Sequence, residues 1–409
     1  MSRRLIAAVA LASLSLAGCN ATSLTPTPMP AAQAEGHRVQ VTYANSADLT
    51  RAVDAGMDLH GVDADKRLAF GHVDSAAGLE AMKRAGIKFS VVPASAYGAK
   101  NTFDKGYRTY EQLTSDLRRI ADKFPDLVQL KSIGQSWETT QGRADRQLWT
   151  VRITGAGDTA KRPAVSFTAN LHARELAPVE MSMALIEKLT EGYAKDPEIK
   201  KLVDTRVIYI APMLNPDGHH KAEKGLDWRK NTHEFTGGVG TDLNRNFPFK
   251  WGGPGTSADP RSDIHRGPSA ASEPETQAIV KYLSGIPNLK IGMDYHAYSN
   301  LIMWSWGWTN DAPVDAAMLS TIGKKLASFN KYKPIQACDL YLTSGSIRDF
   351  SYGQLGVPYF TTEMGSQRDG FDPSFARAQQ LIAENMPGAM YLLQIADNPA
   401  QVLGKTARK

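Results

Sequence analysis

Apolar, strand-like runs alternate with helix-like stretches along most of the chain, and this order constrains the fold more than any other feature. The runs with the composition of buried strands are LVQLKSIG, QLWTVRIT, AVSFTAN, RVIYIAPM, KIGMDYHA, LIMWSW and VPYFTTE. Helical spacing occurs between them, at about 178–193, 272–285, 312–329 and 374–395. Strands that alternate with helices predict an α/β domain over 104–396, with a mixed, mostly parallel twisted sheet covered by helices on both faces.

A smaller α+β unit is predicted upstream of this domain, over 38–95. Its strand-like segments are HRVQVTY, RLAFGHV and KFSVVP, and one helix-like segment lies in each interval between them. The predicted order is therefore βαβαβ. The stretch SAYGAKNTFDKG follows and has the composition of a linker.

Residues 1–18 have the features of an export signal. Arg3 and Arg4 precede an apolar run over 5–17, which is too short to span a bilayer as a mature helix. We therefore expect this segment to be removed and exclude it from the fold.

The apolar run ends in the sequence LAGC, whose last residue is Cys19. This ending resembles the lipobox of bacterial lipoproteins, which implies cleavage before Cys19 and lipid on its thiol. The alternative is a plain secretory signal with an incidental cysteine. Residues 19–37 are rich in Pro, Thr and Ala, which predicts an extended tether. We expect a lipid-anchored protein of the bacterial cell envelope, either periplasmic or surface-exposed.

Charge and cysteine content exclude several classes of protein. The net charge is +5 over 409 residues and no Lys/Arg-rich run is present, so nucleic acid is not an expected partner. The chain has two cysteines, and lipidation of Cys19 would leave Cys338 alone. A disulfide framework is excluded, and stability must come from an apolar core.

Polar residues with metal-binding chemistry follow two of the strand-like runs. His172 and Glu175 come just after AVSFTAN, and His296 lies in KIGMDYHA with Asp294 nearby, whose short side chain could support this histidine. Open α/β sheets place ligands at the carboxyl ends of their strands. A catalytic zinc site uses three protein ligands, often two His and one Glu. Each group taken alone could equally be a structural histidine or a polar loop.

Further motifs occur in a fixed order along the chain. They are NPDG (215–218), DWRKN (227–231), TDLNRNFP (241–248), GPSAASEPET (267–276), YHAYSN (295–300), and YLTSGSIRDFSY (341–352) with TTEMG (361–365). This order resembles the zinc metallocarboxypeptidases of the carboxypeptidase A/B-like family, over roughly 104–396. The small N-terminal unit resembles that family's inhibitory pro-region, less specifically and at a shorter length.

The resemblance implies one zinc ion per chain. It places His172, Glu175 and His296 as the zinc ligands and Glu363 as the general base that takes a proton from the attacking water. Glu363 ends the run VPYFTTE, so it should lie at the same sheet edge as the ligands. A carboxylate beside a metal-activated water is what peptide hydrolysis at neutral pH requires.

The resemblance also implies how a peptide C-terminus would be held. Arg229 matches the residue that stabilises the oxyanion. Asn244 and Arg245 match the pair that binds the terminal carboxylate, a bidentate task suited to arginine. Tyr341 matches the mobile tyrosine that closes over that carboxylate, and Arg174 matches a further subsite arginine. A polar turn is the alternative interpretation of DLNRN.

The family selects the departing side chain through the residue before the Asp of SIRDF, which here is Arg348. A buried cation predicts a preference for Glu or Asp, because a mismatched side chain would leave its charge unpaired. The alternative is that Arg348 pairs internally with Asp349.

The predicted function is that of a zinc-dependent metallocarboxypeptidase acting on peptide and protein C-termini, with a preference for acidic residues. Two alternatives remain open: a zinc peptidase acting on peptidoglycan stem peptides, and a non-catalytic zinc-containing envelope binding protein. If the N-terminal unit is a cleavable inhibitor, cutting near Lys100 or Lys105 would activate the enzyme and release it from the membrane.

Overall fold

The computed structural model of the chain describes residues 36–93 and 103–404. The predicted signal peptide (1–18), Cys19 and nearly all of the predicted tether lie outside the described residues, as does most of the predicted linker. Among the described residues, no helix combines the length and the apolar character needed to cross a bilayer.

Residues 36–93, which we call the N-terminal unit, form a four-stranded sheet with two helices. Its elements are β1 (His37–Thr42), α1 (Ser46–Asp54), β2 (Asp58–Asp63), β3 (Leu68–Val73), α2 (Ala76–Arg84) and β4 (Phe89–Val91). Each helix begins after a side-chain cap: Asn45 accepts from Asp48 N–H, and Ser75 accepts from Gly78 N–H. The strand order is β2-β3-β1-β4 and every pair is antiparallel.

The predicted βαβαβ order of this unit is wrong, because strand β2 was missed. Its sequence DLHGVD carries charged residues at both ends and a histidine within, and lacks the apolar alternation of a typical half-buried strand. β2 lies at the edge of the sheet against polar groups of the larger domain: Asp58 accepts from Arg174, and Val62 N–H donates to Ser299 Oγ. The order of elements is therefore βαββαβ.

Residues 103–404 form the larger domain. Its helices are α3 (Tyr110–Lys123), α4 (Trp137–Thr140), α5 (Ala177–Gly192), α6 (Pro197–Thr205), α7 (Pro216–Ala222), α8 (Pro274–Ser284), α9 (Ala316–Asn330), α10 (Ile347–Leu355) and α11 (Phe375–Ile395). Its strands are β5 (Val128–Gln135), β6 (Gln147–Ile153), β7 (Ala164–Ala169), β8 (Val207–Ala211), β9 (Glu234–Phe235), β10 (Gly238–Val239), β11 (Leu289–His296), β12 (Leu301–Trp304), β13 (Lys333–Gln336) and β14 (Tyr359–Glu363).

Eight of these strands make the central sheet, in the order β13-β12-β14-β11-β7-β8-β6-β5. The pairs β13/β12, β14/β11, β11/β7 and β7/β8 are parallel, and the other three are antiparallel. The predicted mixed, mostly parallel sheet is confirmed. The sequence analysis missed β13, a short edge strand whose second residue is Pro334; proline is tolerated at a sheet edge but makes a segment look like a loop.

Helices cover the central sheet on both faces, as predicted. Leu117 of α3, Ile186 of α5, Ile322 of α9 and Leu392 of α11 share one apolar cluster with Phe167 of β7. On the opposite face, residues of α8 and α10 pack on the sheet in a second cluster. Because both faces of β7 and β11 are covered, these strands are buried along most of their length and rich in apolar residues, and the predicted metal ligands lie where they end.

The N-terminal unit packs on the larger domain through a third apolar cluster. Val41 and Leu49 of the unit lie in this cluster together with Leu301, Met303 and Ala337 of the larger domain. All five side chains are buried. Burial of each large aliphatic side chain contributes about 1.5–3 kcal/mol, so this contact holds the unit close to β12 and to the end of the edge strand β13.

Candidate active site

The two central strands β7 and β11 bring the three predicted metal ligands to one edge of the sheet. They are parallel neighbours, so their carboxyl ends lie side by side. His296 is the last residue of β11, and His172 and Glu175 lie in the loop that follows β7. The fold thus brings the buried His296 beside Glu175 and His172, which lie 121 and 124 positions before it in the chain.

Asn170 shapes the loop that carries two of these ligands, and the sequence analysis did not identify it. Its φ of 61° lies in the left-handed region, which Asn adopts more readily than most residues. Its Nδ2 donates to the carbonyl oxygens of His172, Ala173 and Glu175 at 3.2, 3.3 and 3.2 Å. One side-chain amide therefore fixes the backbone around both ligands. An Asn at the end of an apolar strand was the available signal.

The donor atoms of the three residues face a common point. His172 Nδ1 lies 2.8 Å from Glu175 Oε1, and His296 Nδ1 lies 2.9 Å from Glu175 Oε2. The two Nδ1 atoms are 3.1 Å apart, and one donor atom from each residue lies within 4.8 Å of the others. Two imidazoles and one carboxylate are a usual donor set for catalytic zinc. These residues fit the predicted ion.

The surrounding charges keep the glutamate ligand ionised. Burial alone would raise the pKa of Glu175, but the two imidazoles outweigh this effect and hold its pKa well below the usual range. Burial would likewise lower the pKa of His296, and Asp294 and Glu175 instead hold it well above the usual value. Both shifts arise from the close contact of the buried imidazoles with the carboxylates of Glu175 and Asp294.

Each imidazole contacts a carboxylate through its other ring nitrogen. His172 Nε2 lies 3.1 Å from Asp242 Oδ1, and His296 Nε2 lies 2.5 Å from Asp294 Oδ2. Such carboxylates orient metal-binding histidines and make them more basic. Asp294 was predicted to support His296, whereas Asp242 was not singled out. Its signal was an acid two residues before Asn244 in the motif TDLNRNFP.

We expect Asp294→Asn to weaken zinc binding about 10- to 100-fold, because a neutral amide orients and polarises His296 less than a carboxylate does. The dissociation constant is measured by competition with a chromophoric zinc chelator. Asp311→Asn, which changes an exposed acid elsewhere, is the matched control and should bind zinc as the parent does. Equal affinities for both variants would contradict a supporting role for Asp294.

Glu363 lies at the same sheet edge, as its predicted role requires. It ends β14, which runs parallel to β11, and the register places Glu363 directly beside His296. Burial, together with the carboxylates of Glu175 and Asp294, outweighs the opposing effect of His296 and Arg229 and raises the pKa of Glu363 to about 8. Its carboxyl group lines the same cavity as His172 and Glu175. A group in this position can take a proton from a water molecule in that cavity.

Arg229 faces the cavity while Asp242 holds its guanidinium in place. Nε and Nη2 of Arg229 both donate to Asp242 Oδ2, at 3.0 and 2.8 Å. The same aspartate contacts His172 through its other oxygen. One buried carboxylate therefore positions a metal ligand and the predicted oxyanion-stabilising arginine together.

The residues predicted to bind a terminal carboxylate also meet here. Arg245 donates from Nη2 to the Tyr341 hydroxyl at 2.8 Å, and from Nε to the Gly255 carbonyl at 2.8 Å. Asn244 Oδ1 accepts from the backbone N–H of Ile347 at 3.0 Å, which fixes its amide beside the site. These three side chains line the cavity that also contains His172 and Glu363.

Arg348 lines the same cavity and is 4% exposed. Its Nη1 donates to Thr361 Oγ1 at 3.3 Å, whereas Nε and Nη2 donate no hydrogen bond within the described part of the chain. Asp349 Oδ1 lies 3.4 Å from Nε, while its Oδ2 accepts from the backbone N–H groups of Gly307 and Trp308. The internal pair with Asp349 is thus present, and most of the guanidinium's hydrogen-bonding capacity is unused.

Arg174 faces the N-terminal unit. Its Nη2 donates to Asp58 Oδ2 at 2.7 Å, and its Nη1 donates to Asp227 Oδ1 at 3.1 Å. The guanidinium also lies over the Phe371 ring, 4.2 Å from its centroid. The cation predicted to contact substrate is therefore bound by a carboxylate of β2 in this structure.

Strand β2 covers the cavity. Leu59, His60 and Gly61 line it from one side, opposite His172 and Glu175. The volume of the cavity is about 60 Å³, far less than the roughly 300–1,000 Å³ of a typical ligand pocket. The N-terminal unit therefore occupies part of the space beside the predicted metal ligands.

A family model described as zinc carboxypeptidase matches residues 113–388 of the chain. A zinc carboxypeptidase of Saccharothrix mutabilis subsp. capreolus is 33% identical over 318 residues, which cover 74% of this chain and 72% of that protein. Carboxypeptidase A2 of Mus musculus is 31% identical over 263 residues, which cover 62% of this chain and 61% of that protein. The resemblance to zinc carboxypeptidases is confirmed.

Solved structures share the fold over most of the chain. A carboxypeptidase A from Helicoverpa armigera superposes with a TM-score of 0.73 at 23% identity, covering 90% of this chain and 98% of that one. Thrombin-activatable fibrinolysis inhibitor superposes with a TM-score of 0.72 at 22% identity, covering 89% of this chain and 99% of that one. With the family match, the relatives and the His–Glu–His group at the sheet edge, this chain belongs to the zinc carboxypeptidase family, whose members are zinc-dependent peptide hydrolases.

Proposed function

We propose that this protein removes acidic residues, Glu or Asp, from the C-termini of peptides and proteins. Membership of the family supports the reaction. The buried guanidinium of Arg348 in the cavity, with Nε and Nη2 making no hydrogen bond among the described residues, is the observation that supports the preference. A substrate carboxylate would accept hydrogen bonds from those two donors, whereas an apolar or cationic side chain would leave both of them buried without one.

The reaction follows from the placement of this chain's own groups. Zinc held by His172, Glu175 and His296 supplies Lewis-acid chemistry that activates water at neutral pH. Glu363 takes the proton from the attacking water and passes it to the departing amine. Arg229 donates hydrogen bonds to the carbonyl oxygen as negative charge develops on it.

Binding of the free C-terminus accounts for action at the chain end alone. Asn244 and Arg245 donate to the two oxygens of the terminal carboxylate. The Tyr341 hydroxyl, which now contacts Arg245, moves to the substrate and excludes water from the site. An internal peptide bond offers no carboxylate to these groups.

The preference is tested by measuring kcat/KM for peptides that differ only in the C-terminal residue: Glu, Asp, Leu or Lys. We expect Glu and Asp to exceed Leu and Lys by about 10³-fold, because a site built for a charged partner rejects a mismatched one strongly. A chelator should abolish all turnover. Faster release of Leu or Lys would contradict the proposal, and a set of purified muropeptides in the same assay tests the stem-peptide alternative.

We also propose that the N-terminal unit keeps the enzyme inactive until it is cut away, near Lys100 or Lys105. The small cavity under β2 and the pairing of Asp58 with Arg174 support this role. α1 contributes as well: Thr50 Oγ1 accepts from Leu342 N–H, next to Tyr341. N-terminal sequencing of the active form tests the cut, and full activity in the uncut chain would contradict it.

Gly61 offers a direct test of this coverage. A Cβ atom at this position would lie 2.5 Å from Tyr298 Cε2 and 2.7 Å from its carbonyl oxygen, so Gly61→Val must push β2 away. Such overpacking costs about 1–3 kcal/mol, and we expect the uncut variant to be about 10-fold more active than the uncut parent. Ser90→Val, on the exposed face of β4, is the control, and an equal gain there would contradict the interpretation.

We further propose that lipid on Cys19 anchors the protein to the bacterial cell envelope, and that cutting the chain releases the enzyme from its membrane. The sequence LAGC and the Pro-rich segment after it support the anchor. Cys19→Ser should move the uncut protein from the membrane fraction to the soluble fraction. Retention of the serine variant in membranes would contradict lipidation at this residue.

A further inference from the structure

A second group of potential metal ligands lies at the contact between the N-terminal unit and the larger domain. His72 belongs to β3, Asp74 follows this strand, and Asp263 comes from the larger domain. One donor atom from each residue lies within 4.8 Å of the others. His72 Nδ1 is 3.1 Å from Asp74 Oδ1. We propose that these three residues bind a divalent cation such as Zn²⁺, and that the ion joins the N-terminal unit to the larger domain.

The chemistry of the donors suits such an ion. One imidazole with two carboxylates is a donor set that zinc accepts in proteins. The carboxylate of Asp263 makes one ion pair, with Arg174 at 3.9 Å, and accepts no hydrogen bond within residues 36–93 and 103–404. A cation bound at this point would provide the contact that Asp263 lacks.

A buried oxygen beside the group is an independent indication of a cation. Asp58 and His72 are cross-strand partners in β2 and β3, so their side chains emerge on the same face of the sheet. Asp58 is 6% exposed, and its Oδ2 is bound by Arg174 and lies 3.0 Å from His60 Nε2, whereas its Oδ1 has no hydrogen-bond partner in the described part of the chain. A buried carboxylate oxygen without a hydrogen bond costs free energy, and a cation bound by His72 would lie on the same face of the sheet as this oxygen.

The charges around the group favour an added cation. Asp58, Asp74, Asp227 and Asp263 supply four carboxylates at this contact. Three cations lie near these carboxylates: Arg174, Lys230 and Arg38. Lys230 donates to the carbonyl oxygens of Pro260 and Ser262. Arg38 is the cross-strand partner of His72 in β1.

Counting zinc tests the site. The parent should bind two equivalents per chain at micromolar free zinc, and His72→Ala, Asp74→Asn and Asp263→Asn should each bind one. Asp65→Asn, an exposed acid on the same unit, is the matched control and should bind two. One equivalent in the parent would overturn the site. A variant that failed to fold would lose both equivalents, which separates misfolding from loss of the second ion.

We expect the ion to help keep the uncut enzyme inactive (its latency), and this expectation rests on the proposed inhibitory role of the N-terminal unit. Zinc at 100 times the dissociation constant of the second site shifts the docking equilibrium by up to about 100-fold. The activity of the uncut chain should therefore fall as the second site fills, whereas His72→Ala and enzyme lacking the N-terminal unit should not respond. If the parent binds two zinc ions and its activity does not fall, the role of the second ion in latency is overturned. If the uncut chain is already fully active at low zinc, inhibition by the N-terminal unit is contradicted instead.

Discussion

Replacing Glu363 by Gln is expected to lower kcat by about 10³-fold while the zinc content stays unchanged. Gln keeps the size of the side chain and cannot accept a proton from water. Because Glu363 lies beside His296 in the sheet register rather than among the three metal ligands, its loss should not release the ion. The expected change equals ~4 kcal/mol of transition-state stabilisation.

Two measurements make this result decisive. Steady-state kinetics on a Glu-ended peptide give kcat and KM separately, and metal analysis gives zinc per chain. Glu198→Gln, an exposed change in the first turn of α6, is the matched control and should leave both values as in the parent. A variant at Glu363 that retains turnover within threefold of the parent would show that another group takes the proton.

Arg348→Leu is expected to reverse the preference for the departing residue. The change removes the only charge proposed to contact an acidic side chain, and leaves an apolar residue in a cavity that Met303, Ala337 and Leu340 also line. We expect kcat/KM to fall about 10³-fold for Glu-ended peptides and to rise for Leu-ended ones, because the pocket then matches an apolar side chain. The measurement is the same peptide panel, run on variant and parent in the same processed form.

Controls must separate specificity from stability. Arg348→Leu leaves the buried Asp349 without its nearest cation, at 3.4 Å, so a lower thermal midpoint is expected. Arg118→Leu, an exposed arginine on α3, tests whether removal of a positive charge alone alters kcat/KM. An equal loss on Glu-, Leu- and Lys-ended peptides would indicate damage to the whole site and would contradict a selective role for Arg348.

The main elements of the larger domain were predictable because their patterns are local. The strands β7, β11 and β14 are apolar runs that end in polar residues, and α5 and α11 have helical spacing over 16 and 21 residues. Buried parallel strands need apolar residues along their full length, so they are visible in the sequence. The residues predicted to bind metal follow such strands directly.

Strands whose position depends on contacts with distant parts of the same chain were not predictable from local patterns. β2 carries Asp58 and His60 because it packs on Arg174 and the active-site cavity rather than on an apolar core. β13 is a short edge strand containing Pro334. In both cases tertiary contacts outweigh local propensity.

The sequence by itself determined which chemistry is available: two imidazoles and a carboxylate after central strands, Glu363 at the end of another, and Arg348 before an aspartate. These identities depend on covalent order and side-chain type alone. Only the tertiary structure decided that Asp242 holds both His172 and Arg229, that Asp58 binds Arg174, and that β2 lines the cavity. Such contacts join residues from distant parts of the chain, and their distances follow from the packing of the sheet and of the N-terminal unit against it.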